Sequence, residues 1–88
     1  MNTCYIISYD MPNGGNYDKL YDAIESYGTW ARITESTWAI ETKDSATKIR
    51  DNLSQYLPEG SRLFVVRSGT EAAWFDVLCH NQWLKGHL

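Results

Sequence analysis

Along the chain, short runs of mixed apolar residues alternate with stretches whose apolar positions recur every three or four residues. "TCYIISYD", residues 3–10, is rich in β-branched and aromatic side chains, and its odd and even positions are both mostly apolar. That pattern suits a central strand covered by helices on at least one side. Next, Tyr17, Leu20, Tyr21, Ile24 and Tyr27 fall at i, i+3, i+4, i+7, which predicts a helix with one core-facing stripe. Asn16 suits its cap, Asp18 its first turn and Gly28 its end. Two short strands are expected at 30–33 and 36–42, broken by the polar pair Thr34 and Glu35. In the second of these, Trp38 and Ile40 alternate with Thr37, Ala39 and Glu41, a half-exposed pattern. A second helix is expected from a cap at Asp44 or Ser45, with Ala46, Ile49, Leu53 and Tyr56 as its stripe and Pro58 and Gly60 at its end. "SRLFVVRS", residues 61–68, reads as another buried strand.

The resulting order, β-α-β-β-α-β, is the split βαβ arrangement of ferredoxin-like domains. The expected class is α+β, an antiparallel sheet with two helices on one face, spanning residues 1–68. The other sheet face is expected to stay open and to join two copies in a homodimer. Residues 69–88 form a C-terminal extension that packs on the domain or on the dimer partner. Thr70, Glu71 and two alanines resemble a helix start, and "NQWLKGHL" a short helix capped by Asn81. "AWFDVL" reads as helix, with a strand pairing to a partner as the alternative.

Composition adds limits. Eighty-eight residues with a hydrophobic fraction of 43% close one core without staples. No apolar run approaches the roughly 20 residues that span a bilayer, so no membrane partner is expected. The N-terminus lacks a basic segment followed by a long apolar stretch, and a cytoplasmic protein is the expectation. Cys4 and Cys79 form no CxxC pair and read as reduced thiols. Cys79 and His80 are adjacent and share no helix face, so with His87 they do not suggest a metal site. The net charge of −3, from eight basic and eleven acidic residues, lacks the basic surplus of a duplex-binding surface.

The candidate chemistry begins at Asp10, a lone carboxylate ending the first strand just before the turn "MPNGGN". On its own residues it reads first as a turn residue bonding its own backbone, with a metal ligand as the lesser alternative. "PNGG" lacks the spacing of a phosphate-cradling loop and reads as turn entry to the helix.

The strand "YIISYD", the helix after it, "RITESTW", a second helix and "SRLFVV" together resemble the CRISPR-associated protein Cas-two family. They are similar too to its stand-alone relatives, including the virulence-associated protein D toxins. The likeness covers residues 4–67. The resemblance implies a ferredoxin-like homodimer in which the aspartate ending the first strand faces its symmetry mate. There the pair holds a divalent metal, Mg²⁺ or Mn²⁺, for cleavage of RNA or DNA phosphodiesters. Asp10 inherits the metal-ligand and catalytic position, and Arg32 and Ser36 match the polar positions near that cleft. Arg32 would contact nucleic acid, and Arg67 at the end of the last strand is added as a second contact on its position alone, not on the resemblance. Thr34 stands where the family usually has Gln, and the Trp-rich tail replaces a short swapped strand, so a stand-alone relative is the nearer match. The alternative is a non-catalytic dimeric module that binds a protein partner as an adaptor, toxin–antitoxin component or inhibitor.

Overall fold

The computed structural model describes residues 2–12 and 17–88. Strand β1 (Thr3–Asp10) is followed by helix α1 (Tyr17–Glu25), strands β2 (Thr29–Thr34) and β3 (Thr37–Thr42), helix α2 (Ala46–Ser54), strand β4 (Arg62–Arg67) and helix α3 (Asn81–His87). The class is α+β: one open four-stranded sheet, ordered β2-β3-β1-β4, with every neighbouring pair antiparallel. Among the described residues no helix is long and apolar enough to cross a membrane.

Register explains the core. β1 lies between β3 and β4, with Tyr5 opposite Ile40 and Ile7 opposite Trp38 on one side and Ile7 opposite Val65 on the other. Directly opposed residues share a face. The odd positions of β1 therefore meet Trp38 and Ile40, and Leu20 and Ile24 of α1 with Ile49 and Leu53 of α2 close over them. Both helices thus cover the same face. Each of those buried Ile and Leu side chains contributes about 1.5–3 kcal/mol relative to exposure.

The helix signals of α1 and α2 work as expected where they are described. Ser45 caps α2, its hydroxyl accepting from the Lys48 N–H at 3.2 Å. Gly28 ends the turn after α1 at φ 91°, a conformation that favours glycine, and its N–H donates to the Glu25 carbonyl. The expected Asn16 cap lies outside the described residues.

The second sheet face differs from its expectation, and the tail is the reason. Leu78 donates its N–H to the Ile33 carbonyl at 2.9 Å, which pins the tail to edge strand β2. His80 and Trp83 lie with Trp30 and Ala31 around a recess of about 270 Å³ between tail and strand. Leu84 of α3 is buried. Ala31, Ala39 and Cys4 face away from α1 and α2, yet all three are buried. Ala31 lines the recess that the tail forms with β2, which places the tail on this face. Ala39 is as inaccessible as Trp38, and β3 has two buried faces rather than one half-exposed face.

β4 is the opposite correction. It reads in sequence as a buried strand, but it is the sheet's other edge. Leu63 and Val65 turn toward the core, whereas Phe64 and Val66 point out with 62% and 41% of their surface exposed. Ile6 stands opposite Val66, and Ser8 opposite Phe64. This half of the second face is bare apolar surface.

Within the tail, the helix expected near residue 70 does not form. The chain is irregular until α3, and Asp76 at φ 52° breaks any helical run there. His80, not Asn81, occupies the N-cap position, and its side chain makes no capping bond. Asn81 is instead the acceptor for Trp74 Nε1 at 3.1 Å. Cys4 and Cys79 are free thiols.

Candidate active site at the end of the first strand

Asp10 ends β1 because the ladder runs out there: its partner Arg62 is the first residue of β4. Its side chain is exposed and, among the described residues, makes only a loose ion pair with Arg62 at 3.7 Å. Exposed pairs of this kind contribute about 0–1 kcal/mol, so the carboxylate is not committed to holding the fold.

The β2–β3 hairpin delivers the other residues. Glu35 and Ser36 form its tip, and Tyr9 at the end of β1 fastens that tip. The Tyr9 N–H donates to the Ser36 carbonyl at 3.1 Å, and the Tyr9 hydroxyl donates to the Glu35 carbonyl at 3.2 Å. The same hydroxyl accepts from Trp38 Nε1 at 3.0 Å. Burial pushes the Tyr9 hydroxyl up to about 12, so it remains a neutral bridge across the working pH range.

Arg32 leaves β2 on the helix side and lies across two rings, its guanidinium carbon 4.7 Å from the Tyr21 centroid and 5.4 Å from that of Trp38. Its Nη2 donates to the Tyr21 hydroxyl at 3.0 Å and to the Glu35 carbonyl at 2.8 Å. Nε is buried without an acceptor among the described residues. A guanidinium carries five N–H donors, so Nη1 keeps two that no described residue engages. An anion entering the cleft would therefore reach Arg32 through Nη1 alone. The bidentate clamp that an arginine often makes is precluded by its duties to the hairpin and to α1.

These elements enclose a cleft of about 650 Å³ lined by Asp10, Arg32, Ser36, Glu35, Tyr9, Met11, Tyr17, Tyr21 and Leu78. No family model, curated protein or solved structure matches the chain. Three of the four residues singled out from sequence, Asp10, Arg32 and Ser36, share this cleft. Arg67 does not. It pairs with Tyr5, five residues back along β1 from Asp10, on the order of 16 Å at ~3.3 Å per residue.

Six cleft residues, Met11 among them, carry no role in the sequence reading. Tyr9 and Glu35 flank recognised positions, and Tyr17 and Tyr21 stand at i, i+4 at the start of α1, a spacing that reads simply as core stripe. Leu78 had no signal, because it arrives from an irregular segment. Glu35 matters most of these: it brings a second acidic residue to the lining of the cleft that holds Asp10.

Divalent cations of the magnesium type take hard oxygen ligands, often one or two carboxylates plus substrate phosphate and water. Asp10 and Glu35 fit that chemistry as oxygen donors. Among the described residues no group of three or more His, Cys, Asp or Glu stands close enough to hold a metal. A complete protein site would draw on a further carboxylate from a second copy, and otherwise on phosphate oxygens. Asp10 is placed for either, since it also lines a shallower recess with Ser8, Arg62 and Phe64, on the side of the bare sheet half.

Proposed function

We propose that the protein is a Cas-two-like, ferredoxin-like homodimer that cleaves RNA or DNA phosphodiesters with a divalent metal, each copy supplying Asp10 to the site. The observation that carries this reading is the convergence of Asp10, Arg32 and Ser36 on one cleft from two separate parts of the chain. The sheet order β2-β3-β1-β4, with all neighbours antiparallel, supports the ferredoxin-like part. The bare patch of Ile6, Phe64 and Val66 supports the homodimer, narrowed to the β1–β4 half because the tail covers the rest. A cytoplasmic setting goes with two free thiols.

Mg²⁺ or Mn²⁺, held by Asp10 with Glu35 or a second Asp10, would supply charge stabilisation and an activated water at the phosphate. Arg32 Nη1 binds a phosphate oxygen, and the ring stack on Tyr21 and Trp38 keeps that guanidinium from swinging out. Ser36 offers a hydroxyl to the same group. Glu35, through its main-chain carbonyl, fixes where Arg32 points.

Purified protein should cut RNA or DNA when Mg²⁺ or Mn²⁺ is added. Asp10→Ala should keep its fold and oligomeric state but lose activity by on the order of 10²–10³-fold, the scale of removing one electrostatic stabiliser. Cleavage by Asp10→Ala at the parental rate would mark a contaminant and end the proposal.

The second reading, a non-catalytic module for a protein partner, draws on Phe75 and Leu78, 92% and 64% exposed on the tail. It predicts no binding of nucleic acid even at low salt, where electrostatic contacts are strongest.

A further inference from the structure

Five aromatic rings make one continuous run from the cleft into the sheet. Ring centroids are 6.2 Å apart for Tyr9–Tyr17, 5.7 Å for Tyr17–Tyr21, 5.5 Å for Tyr21–Trp38 and 5.3 Å for Trp38–Trp30. Most members have evident work in the fold. Tyr9 and Trp38 are buried and bonded to each other, and Tyr21 holds Arg32. Tyr17 has no such work. It is the first residue of α1, it lines the cleft, it leaves 38% of its surface exposed, and its hydroxyl makes no hydrogen bond among the described residues. Its neighbours Tyr9 and Tyr21 brace the ring, so the exposed part is a pre-positioned aromatic surface at the mouth of the site.

The cleft's own charges narrow what that ring meets. Aromatic walls attract organic cations, but Arg32 already lies on the Tyr21 and Trp38 rings and places a fixed positive charge there. Its unengaged Nη1 donors call for an anionic oxygen instead. A flat, uncharged ring system joined to an anionic oxygen is the chemistry of a nucleotide, and about 650 Å³ is within the range of small-ligand sites. Duplex nucleic acid fits poorly: its bases are already stacked, and its charge density asks for many cations, whereas this chain carries −3 and the cleft walls hold Asp10 and Glu35. An unpaired strand offers bare base faces and needs few phosphate contacts.

We propose that Tyr17 is the base-stacking residue of this cleft, holding one unpaired nucleobase of single-stranded RNA or DNA while the adjoining phosphate reaches Arg32. This rests on the phosphodiester reading above and names the substrate form that the site selects.

The test is anisotropy titration at low salt with EDTA present, using labelled hexaadenylate RNA, its deoxy counterpart and an abasic hexamer. The parent protein is compared with Tyr17→Phe and Tyr17→Leu, and melting curves verify that both variants fold. Tyr17→Phe, which keeps the ring, should bind within about twofold of the parent. Tyr17→Leu should lose roughly 5- to 100-fold on the base-bearing strands, the scale of one base–aromatic stack. The abasic hexamer should bind weakly and equally to parent and Tyr17→Leu. The stronger of the two adenylate strands identifies the sugar. Tyr17→Leu binding as tightly as the parent, an abasic strand held as tightly as hexaadenylate, or no binding at all would each overturn the proposal. The two ideas fail separately. Tyr17-dependent binding with no cleavage on adding metal removes the nuclease and leaves the stacking subsite; Asp10-dependent cleavage of single strands indifferent to Tyr17 does the reverse.

Discussion

The two halves of the sheet's second face are built from different residues. Over β2 and β3 the side chains are small, Ala31 and Ala39, with Cys4 beside them, and all are buried. Over β1 and β4 they are large, Ile6, Phe64 and Val66, and the last two are exposed. Small residues let a second layer approach the backbone closely, and here the chain's own tail uses that space. Large residues with no layer above them fit a surface built for another molecule. The alanines mark intramolecular closure, and the bulky residues mark the surface where the proposed dimer would close.

Cutting the tail's anchor gives the largest expected effect. Leu84 is buried at 1% exposure on α3, outside the main core cluster. Leu84→Ala should cost about 2–5 kcal/mol in denaturant unfolding, and limited proteolysis should then cut first within residues 69–80. A loss under about 0.5 kcal/mol would mean that the tail is not part of the cooperative unit, and the contrast between the halves would dissolve.

The bare half responds differently. Phe64→Ser should change the stability of the isolated subunit by no more than about 0.5 kcal/mol, because Phe64 is already 62% exposed. Sedimentation should nonetheless show the dimer weakened. Unchanged association would move the dimer surface elsewhere.

The smallest effect is chemical. Burial, with a lesser push from Glu41, raises the Cys4 thiol from 9.0 to about 11. A group whose pKa is raised by folding stabilises the fold below its unfolded value and withdraws that contribution as pH climbs through its folded one. Cys4, and Tyr9 shifted from 10.0 to about 12, should therefore leave stability flat up to about pH 9 and erode it between about pH 9 and 12. Near pH 8 a thiol reagent should label half-buried Cys79 and spare Cys4. Equal labelling would show that the tail does not shield the sheet there.

How much of this could be read from sequence follows the same division. The five-residue stripe of α1, the Ser45 cap and the positions of the strands are local properties, and spacing exposes them. The grouping of Asp10 with Arg32 and Ser36 was reachable from motif resemblance, and the hairpin register delivers it. The face covered by the tail was not legible, because "AWFDVLCH" has no strong local preference and its course is set by contacts such as Leu78 to Ile33. β4 misled for a related reason: "LFVV" is equally apolar in a central strand and in an edge strand with a bare face. Tyr17 was absorbed into a stripe by its spacing, which cannot tell a side chain at the mouth of a cleft from one inside the core.

One consequence follows from the arginines at either end of β4. An uncovered edge strand as apolar as "LFVV" is a template for runaway sheet extension. Arg62 and Arg67 flank it, and antiparallel growth by one copy's β4 on another's would set arginine near arginine at both ends. Like charges directly opposed are destabilising. The pair is thus placed as a gatekeeper that discourages the edge from seeding aggregates while leaving the exposed face unobstructed.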